Sequence, residues 1–318
     1  MGGPGHYETE GTGMAYTGPI IDAHMHLWDL DKHYYSWLQD VPLPNNPAGD
    51  MSLIAGKNYL PADYAADALP WRVQSLVHVE CGLPTDKQLS ETDWLESLIA
   101  ANAPIGAPIG AIVAGANLDD PNVEALLEAH ASRPHVRGIR QIVNFHADPA
   151  KTYGPADLLL NDQWRAGFGL LAKHGLSFDL QLYPSQMETA AALADAHPDI
   201  PLVVNHAGMP TDRDEDGLAL WRSGLAALAQ RPNVTCKVSG LAMVDRAWTV
   251  ESLRPFVLRV IETFGVERTM FASNFPVEKV HGSFDAFYTA YDAITADFGD
   301  AERQRLFAGT AAAVYRIA

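Results

Sequence analysis

Two histidines stand two residues apart in an apolar run over residues 20–29. Successive side chains of an extended strand point to opposite faces, so Asp22, His24 and His26 are predicted to share one face. Imidazoles bind metals and carry protons near neutral pH, which makes the pair a candidate for either chemistry. The pattern is short and the chain has 12 histidines, so ordinary surface histidines are the alternative. Its significance depends on what the rest of the chain brings to the same place.

The elements that would position this pair alternate regularly along the chain. After the first strand at residue 20, strands are predicted over residues 73–79, 109–115, 136–143, 176–183, 202–205, 234–238 and 269–272. Helices are predicted over residues 61–69, 87–101, 122–132, 162–174, 184–197, 214–230, 250–264, 283–298 and 301–315. Eight strand–helix units indicate an α/β fold, a single-domain (β/α)8 TIM barrel. An open doubly wound sheet is the main alternative, but no Gly-x-Gly-x-x-Gly follows a strand.

Two segments depart from this alternation. Residues 1–17 are glycine-rich and polar, and they are predicted to form a flexible N-terminal tail before a barrel over residues 18–318. Residues 29–60 are rich in aromatic residues and proline without periodicity. A loop insertion of this length in a compact domain is usually functional, so we expect it to cover a site.

Polar side chains stand at the ends of the predicted strands. In chain order they are His78 and Glu80, Arg140 and Asn144, Asp179, Gln181 and Tyr183, His206, Lys237, and Asn274. Barrel enzymes build their sites at the carboxyl ends of the strands, so these groups are predicted to meet the two histidines. Two alternatives stay open: Asp179 and Lys237 could form an internal ion pair, and His78 could be a core histidine.

Composition excludes several classes of partner. The chain has 22 basic and 39 acidic residues and a net charge of −17, which argues against nucleic acid and anionic membranes. Its two cysteines, Cys81 and Cys236, lie far apart in apolar runs and are predicted to be buried thiols of a reducing compartment. Neither a membrane span nor a signal peptide is evident, so we expect a cytoplasmic protein. The oligomeric state stays open, a homo-oligomer included.

Six blocks of the sequence carry a family resemblance. They are Ile-Asp-Ala-His-Met-His-Leu-Trp-Asp at 21–29, Val-Arg-Gly-Ile-Arg-Gln at 136–141, Phe-Asp-Leu-Gln at 178–181, Asn-His-Ala-Gly-Met-Pro at 205–210, Lys-Val-Ser-Gly-Leu at 237–241 and Ser-Asn-Phe-Pro-Val at 273–277. The chain resembles the amidohydrolase-2 family of TIM-barrel hydrolases. Within that family it is similar to the lactonases of 2-pyrone-4,6-dicarboxylate, sulfomuconolactone and sugar acids. The resemblance implies hydrolysis of a cyclic ester.

Two departures from the family pattern bear on metal binding. The superfamily commonly has a histidine after the fifth strand and a lysine or glutamate after the fourth, where this chain has Gln181 and Arg140 or Asn144. A binuclear metal centre is therefore not expected. Related lactonases also have an aspartate where this chain has Asn274, and an amide neither takes a proton nor binds metals well.

Two versions of the site stay open. In one, His24, His26 and His206 hold a single divalent ion, zinc first among candidates, which activates water and polarises the carbonyl. In the other the site is metal-free, His206 or Glu80 is the base, and His24 and His26 polarise the carbonyl.

The candidate residues fall into two groups. The catalytic candidates are His24, His26, Glu80, His206 and Asn274, and the substrate-binding candidates are Trp28, Arg140, Asn144, Gln181, Tyr183 and Lys237. Cations facing inward in an acidic protein indicate a small anionic lactone or carboxylic acid as substrate. The alternatives are a metal-dependent decarboxylase, a C–C or amide hydrolase on the same scaffold, and a barrel that binds a small acid without turnover.

Overall fold

A computed structural model describes residues 16–101 and 107–318. Eight strands form one parallel sheet in chain order: β1 Ile20–Met25, β2 Val73–Val79, β3 Ile109–Gly115, β4 Val136–Arg140, β5 Ser177–Leu180, β6 Leu202–Val204, β7 Val234–Val238 and β8 Thr269–Phe271. The chain just after β8 pairs with β1, since Asn274 N–H donates to His24 O and His26 N–H donates to Phe275 O, both at 2.7 Å. The predicted (β/α)8 barrel is confirmed.

The predicted helices are present in chain order, and the structure adds two short ones, α1 in the loop insertion and α9 after β7. They are α1 Ser36–Gln39, α2 Pro61–Asp67, α3 Gln88–Ala100, α4 Val123–Ala131, α5 Asp162–Gly169, α6 Leu171–His174, α7 Met187–Ala196, α8 Glu215–Ala229, α9 Leu241–Val244, α10 Val250–Phe264, α11 Phe284–Ile294, α12 Asp300–Gln304 and α13 Thr310–Tyr315. A π-helical turn, Arg305–Gly309, joins the last two. No helix of the described ranges is long and apolar enough to cross a membrane.

The strands β4 and β5 end three residues earlier than predicted. The sequence pattern ran to residues 143 and 183, whereas the ladders stop at Arg140 and Leu180. Beyond them the chain stays largely extended, and Val143 N–H still donates to Gln181 O at 3.2 Å. An apolar–polar alternation predicts which side chains are buried, but it does not predict where the backbone hydrogen bonds between neighbouring strands end.

The face assigned to Asp22 is a second difference. The pairing of β1 with β2 shifts register between Asp22 and Met25, as a β-bulge does. Asp22 accepts hydrogen bonds from the Tyr64 hydroxyl of α2 and from Ser273, whereas the ring of His24 lies 4.7 Å from the ring of His206. The expectation that Asp22 shares a face with His24 was therefore wrong, because the bulge redirects the side chains that follow it.

A buried ion pair lies in the interior of the barrel, near the middle of its strands. Lys237 Nζ lies 2.6 Å from Asp179 Oδ2, and both side chains are fully buried. The Tyr315 hydroxyl donates to the other carboxylate oxygen at 2.8 Å, and Asn205 Nδ2 donates to Oδ2 at 3.0 Å. The internal ion pair that the sequence left open for Asp179 and Lys237 is therefore present.

The two irregular segments have defined contacts where the structure describes them. Residues 1–15 of the predicted tail lie outside the described residues, but Tyr16 stacks on Phe307 and its N–H donates to Asp292. The folded part therefore extends at least two residues before the predicted boundary at residue 18. The loop insertion contains α1 and is pinned at its base, where Trp28 and Tyr59 exchange two backbone hydrogen bonds of 3.0 Å.

Replacing Lys237 by methionine should lower the free energy of unfolding by about 3–5 kcal/mol, because it leaves the Asp179 carboxylate buried without its counter-charge. Urea denaturation measures the change. The double variant Lys237→Met/Asp179→Asn should recover most of the loss, since neither of these two side chains then carries a charge. Lys173→Met, which removes an exposed ion pair with Glu124, is the control and should change stability little. Equal small losses for both lysines would contradict the interpretation.

Candidate active site

A cavity of about 230 Å³ opens at the carboxyl ends of the strands. Its lining combines polar side chains from the barrel with apolar ones from the surrounding loops: His26, Trp37, Asn46, Ala48, Glu80, Cys81, Gly82, Arg140, Ile142, Tyr153, Gln181, His206, Met243, Asn274 and Val277. Six of the eleven residues predicted from sequence are among them, namely His26, Glu80, Arg140, Gln181, His206 and Asn274. A concave, mainly apolar pocket with a few convergent polar groups is the usual form of a small-molecule site.

A buried guanidinium lies at the centre of the polar wall. Arg140 Nε donates to Glu80 Oε1 at 2.6 Å, and Nη2 donates to the Glu80 carbonyl at 2.5 Å. The second carboxylate oxygen of Glu80 accepts the Gly82 N–H at 2.6 Å. Glu80 therefore holds the guanidinium through two atoms, and both of its carboxylate oxygens are engaged.

The third nitrogen of the guanidinium is less firmly bound. Arg140 Nη1 lies 3.4 Å from His24 Nε2 and 3.3 Å from Gln181 Oε1, beyond the usual hydrogen-bond distance. Nη1 is consequently the donor of Arg140 that a ligand could take. His24 itself is fully buried and does not line the cavity, so it reaches a ligand only through Arg140.

His26 and Asn274 meet on the neighbouring wall. His26 Nδ1 lies 2.7 Å from the Val79 carbonyl, which accepts, so the Nδ1 atom carries the proton. Its Nε2 lies 3.3 Å from Asn274 Oδ1, and a neutral imidazole presents a lone pair there. The Asn274 amide satisfies this pair when it is turned over, with Nδ2 donating to His26.

The three site histidines are held neutral. Burial lowers the pKa of His24 well below its usual value, with Lys237 as the largest charged contributor. Burial followed by Arg140 does the same to the pKa of His26 and of His206. Burial and the neighbouring cations disfavour a further positive charge, so each ring keeps one nitrogen with a lone pair at neutral pH.

The segment that carries His206 has a strained backbone. His206, Ala207 and Met209 have φ of 55°, 53° and 45°, and Asn274 has φ of 54°. Non-glycine residues in this region are uncommon and persist where surrounding contacts impose them, often at functional sites. Here the His206 ring is fixed by Ser239, whose Oγ lies 3.0 Å from Nδ1. Among the described residues Nε2 of His206 has no protein partner, and the residue lines the cavity.

The described residues do not fit a metal centre as arranged. Within residues 16–101 and 107–318, no three His, Cys, Asp or Glu side chains are close enough to share a metal ion. A guanidinium cation lies beside His24 Nε2, where a metal bound to that atom would lie. Metal-bound histidines usually donate their other ring nitrogen to an acceptor, but His24 Nδ1 is buried without a partner.

Four predicted substrate-binding residues, and His24, lie outside the lining of the cavity. Trp28 donates to Lys57 O within the loop insertion, and Tyr183 donates to Lys151 O. Asn144 is buried with its Nδ2 on Met209 Sδ, and Lys237 is in the ion pair with Asp179. Alternation along a strand indicates which side chains face inward, and it does not indicate their depth.

Several residues that line the cavity were not among the candidates named from the sequence. Trp37 lines the cavity from the loop insertion and donates from Nε1 to Cys81 O at 2.8 Å. Cys81, Tyr153 and Met243 line it from the loops after β2, β4 and β7. The aromatic content of residues 29–60 was the available signal for Trp37. The other three carry no spacing pattern, because loops have no periodicity.

A second buried carboxylate ties the loop insertion to this wall. Glu91 accepts the Tyr35 hydroxyl at 2.8 Å and the Cys81 N–H at 3.2 Å. Burial, with the nearby charge of Glu80 adding to it, raises the pKa of Glu91 to about 8. The protonated acid is thus the form that the folded protein favours below that pH.

Thermal stability should reflect this shift. From the ordinary pKa of 4.5 up to about 8 the folded protein keeps a proton on Glu91 that the unfolded chain has released, so stability falls as pH rises. A glutamine side chain at this position cannot titrate and keeps an acceptor oxygen. The difference in melting temperature between Glu91→Gln and the wild type should therefore grow in favour of the variant across this window, then level off. A difference that is independent of pH would contradict the shift.

Comparison with known proteins gives relatives over almost the whole chain. The amidohydrolase family model matches residues 21–317. An uncharacterized protein of Sinorhizobium fredii (strain NBRC 101917 / NGR234), y4mH, is 44% identical over 299 residues, which are 94% of this chain and 98% of that protein. An L-fucono-1,5-lactonase of Burkholderia multivorans (strain ATCC 17616 / 249) is 29% identical over 312 residues, 93% of this chain and 96% of that protein.

A solved structure extends the likeness to the fold. The crystal structure of a Burkholderia multivorans amidohydrolase with bound zinc is similar at a TM-score of 0.76 and 25% identity, covering 95% of this chain and 100% of that chain. The family resemblance predicted from the six sequence blocks is thereby confirmed.

Proposed function

This chain belongs to the amidohydrolase family, and from that premise we propose that it opens a small anionic lactone by attack of water on the ring carbonyl. The observation that carries the proposal is the meeting of a held guanidinium and a neutral imidazole in one cavity, Arg140 and His206. The lactonase among its relatives supports a lactone as the substrate class. Sugar-acid lactones and carboxylated lactones are the candidates to test.

In this proposal Arg140 stabilises the oxyanion. Its Nη1 makes only long contacts in the free protein, so a carbonyl oxygen can take that donor as negative charge develops. Glu80 keeps the guanidinium in place with both carboxylate oxygens engaged, so its role is to hold Arg140 and not to act as base. The long contacts of Nη1 with His24 Nε2 and Gln181 Oε1 orient this nitrogen in the free protein.

The base in this proposal is His206. When its Nδ1–H donates to Ser239 Oγ, the lone pair of Nε2 is free to accept a proton from water. Burial, together with the cations Arg140 and Lys237, lowers the pKa of the ring and keeps it in its basic form. As the oxyanion forms, its negative charge offsets those cations and raises the proton affinity of the ring at the moment of transfer.

The reaction then balances with these groups alone. Water loses a proton to His206 Nε2 while its oxygen bonds to the carbonyl carbon. The π electrons of the carbonyl move to its oxygen, and the resulting oxyanion accepts a hydrogen bond from Arg140 Nη1. The ring C–O bond breaks as the C=O bond re-forms, and the imidazolium returns its proton to the leaving oxygen. The product is a hydroxy acid, which releases one proton to solvent at neutral pH. Asn274 takes no proton because its side chain is an amide, so in this proposal it orients the reactants together with His26.

Replacing His206 by asparagine should lower kcat/KM for lactone hydrolysis on the order of 10²–10⁴-fold, the usual contribution of a general base. A panel of sugar-acid and carboxylated lactones, followed by proton release and product mass, measures it. His174→Asn, at the end of α6 and outside the cavity lining, is the matched control and should keep full activity.

The same panel separates the alternatives. Carbon dioxide release without ring opening would identify a decarboxylase, and a different product mass would identify an amide or C–C hydrolase. Thermal stabilisation by an acid without any product would identify a binding protein. Full lactonase activity in His206→Asn would reject His206 as the base.

Zinc content provides an independent prediction. Because Arg140 lies beside His24 Nε2, wild-type protein that is loaded with zinc and then dialysed should retain far less than one zinc per chain, and chelator should leave activity unchanged. The variant Arg140→Gln/Asn274→Asp removes the cation and adds a carboxylate, so it should retain more zinc. Elemental analysis measures both. One zinc per wild-type chain, with activity lost on chelation, would contradict the metal-free proposal.

A further inference from the structure

Glu278 is a buried carboxylate that does not line the cavity. It lies in the short turn Val277–Val280 after β8. Its Oε2 accepts the Gly240 N–H and its Oε1 accepts the Ala242 N–H, both at 2.9 Å, at the start of α9. One side chain therefore joins the loop after β8 to the loop after β7.

The loop after β7 bears directly on His206. Ser239 Oγ lies 3.0 Å from its Nδ1. The backbone of Gly240 is so close that an added Cβ would lie 2.5 Å from Cγ of the ring, and its φ of 66° also favours glycine. The position of this short segment consequently sets where the His206 ring can lie.

The loop after β8 bears on the other wall of the cavity. The Glu278 N–H donates to the Asn274 carbonyl at 3.1 Å, next to the strained φ of Asn274. Met243 of α9 lines the cavity, and its Sδ lies 3.5 Å from the side-chain amide of Asn274. Both loops that Glu278 joins therefore contact or contain residues that line the cavity, namely His206, Met243 and Asn274.

We propose that Glu278 is a positioning residue: by binding the Gly240 and Ala242 N–H groups, it holds Ser239 and Gly240 against His206 and directs Nε2 of that ring to the carbonyl. The proposal rests on His206 acting as the base of the proposed reaction. Burial raises the pKa of Glu278 to about 7, although the two N–H donors oppose the rise. The charged form is costly in this place, and these donors are what stabilise it.

Glu278→Gln tests the proposal with little change in shape. The amide keeps one acceptor oxygen but turns an NH2 group toward the second N–H, so the turn loses a contact. A ring that is displaced by a fraction of an ångström should lower kcat for the lactone by at least about tenfold. KM should stay nearly unchanged, because Arg140 is untouched. The control is Glu302→Gln, since Glu302 also accepts a backbone N–H, that of Gly299, but far from the cavity.

A double-mutant cycle tests the route of the effect. If Glu278 acts through the contact between Ser239 and His206, then Glu278→Gln should add little to the loss of kcat already caused by Ser239→Ala. Losses that multiply in the double variant, or a loss confined to KM, would overturn the proposal.

The ring resonance of His206 separates this proposal from the proposed function. In protein labelled with ¹³C-histidine, the Cε1–H signal of His206, assigned with His206→Asn, should shift in Glu278→Gln while that of His174 does not. A shifted His206 signal would support the positioning role of Glu278 even if the protein hydrolyses no lactone. The absence of hydrolysis would reject only the proposed function. An unchanged His206 signal in the folded variant would overturn the proposal. If Glu278→Gln does not fold, Glu278→Asp replaces it, because it keeps the charge with a shorter reach and should shift the same His206 signal relative to the wild type.

Discussion

A buried positive charge is the constraint on which the site depends. The guanidinium of Arg140 is buried and is stabilised by Glu80 through its carboxylate and its backbone carbonyl. Because Glu80 pairs with Nε, the guanidinium presents its positive charge to the cavity through Nη1. Burial keeps the neighbouring imidazoles neutral, with Lys237 and this charge adding to it. The charge also disfavours a metal ion beside His24 and selects for ligands in which negative charge is present or develops.

The remaining parts of the site are built around that charge in layers. Below it, the Lys237–Asp179 pair fills the barrel without leaving an unbalanced charge, and Tyr315 completes its hydrogen bonds. Above it, the loop insertion closes the cavity with Trp37, and Glu91 ties that loop to the wall through Tyr35 and Cys81. At the side, Glu278 couples the two loops that carry Ser239 and Asn274. These contacts hold in place the walls that carry Arg140 and His206.

Much of this could be predicted from residue patterns. The eight strands, their order and the polar groups at their ends follow from alternation, which is a property of neighbouring residues. Six of the eleven candidate residues do line the cavity. Trp28, Asn144, Tyr183 and Lys237 do not, because a pattern along one strand indicates the inward face but not the depth, and loops such as those of Tyr153 and Met243 have no pattern.

The sequence by itself determined the barrel, the family and the types of side chain available to the site, since local periodicity and short motifs carry that information. Only the tertiary structure decided which of those side chains touch. Arg140 and His24 are 116 positions apart, and Glu80 and Arg140 are 60 apart, so their contact depends on the closure of the whole barrel. The bulge in β1 adds a shift that reverses the facing of side chains, and no pattern along the strand reveals it.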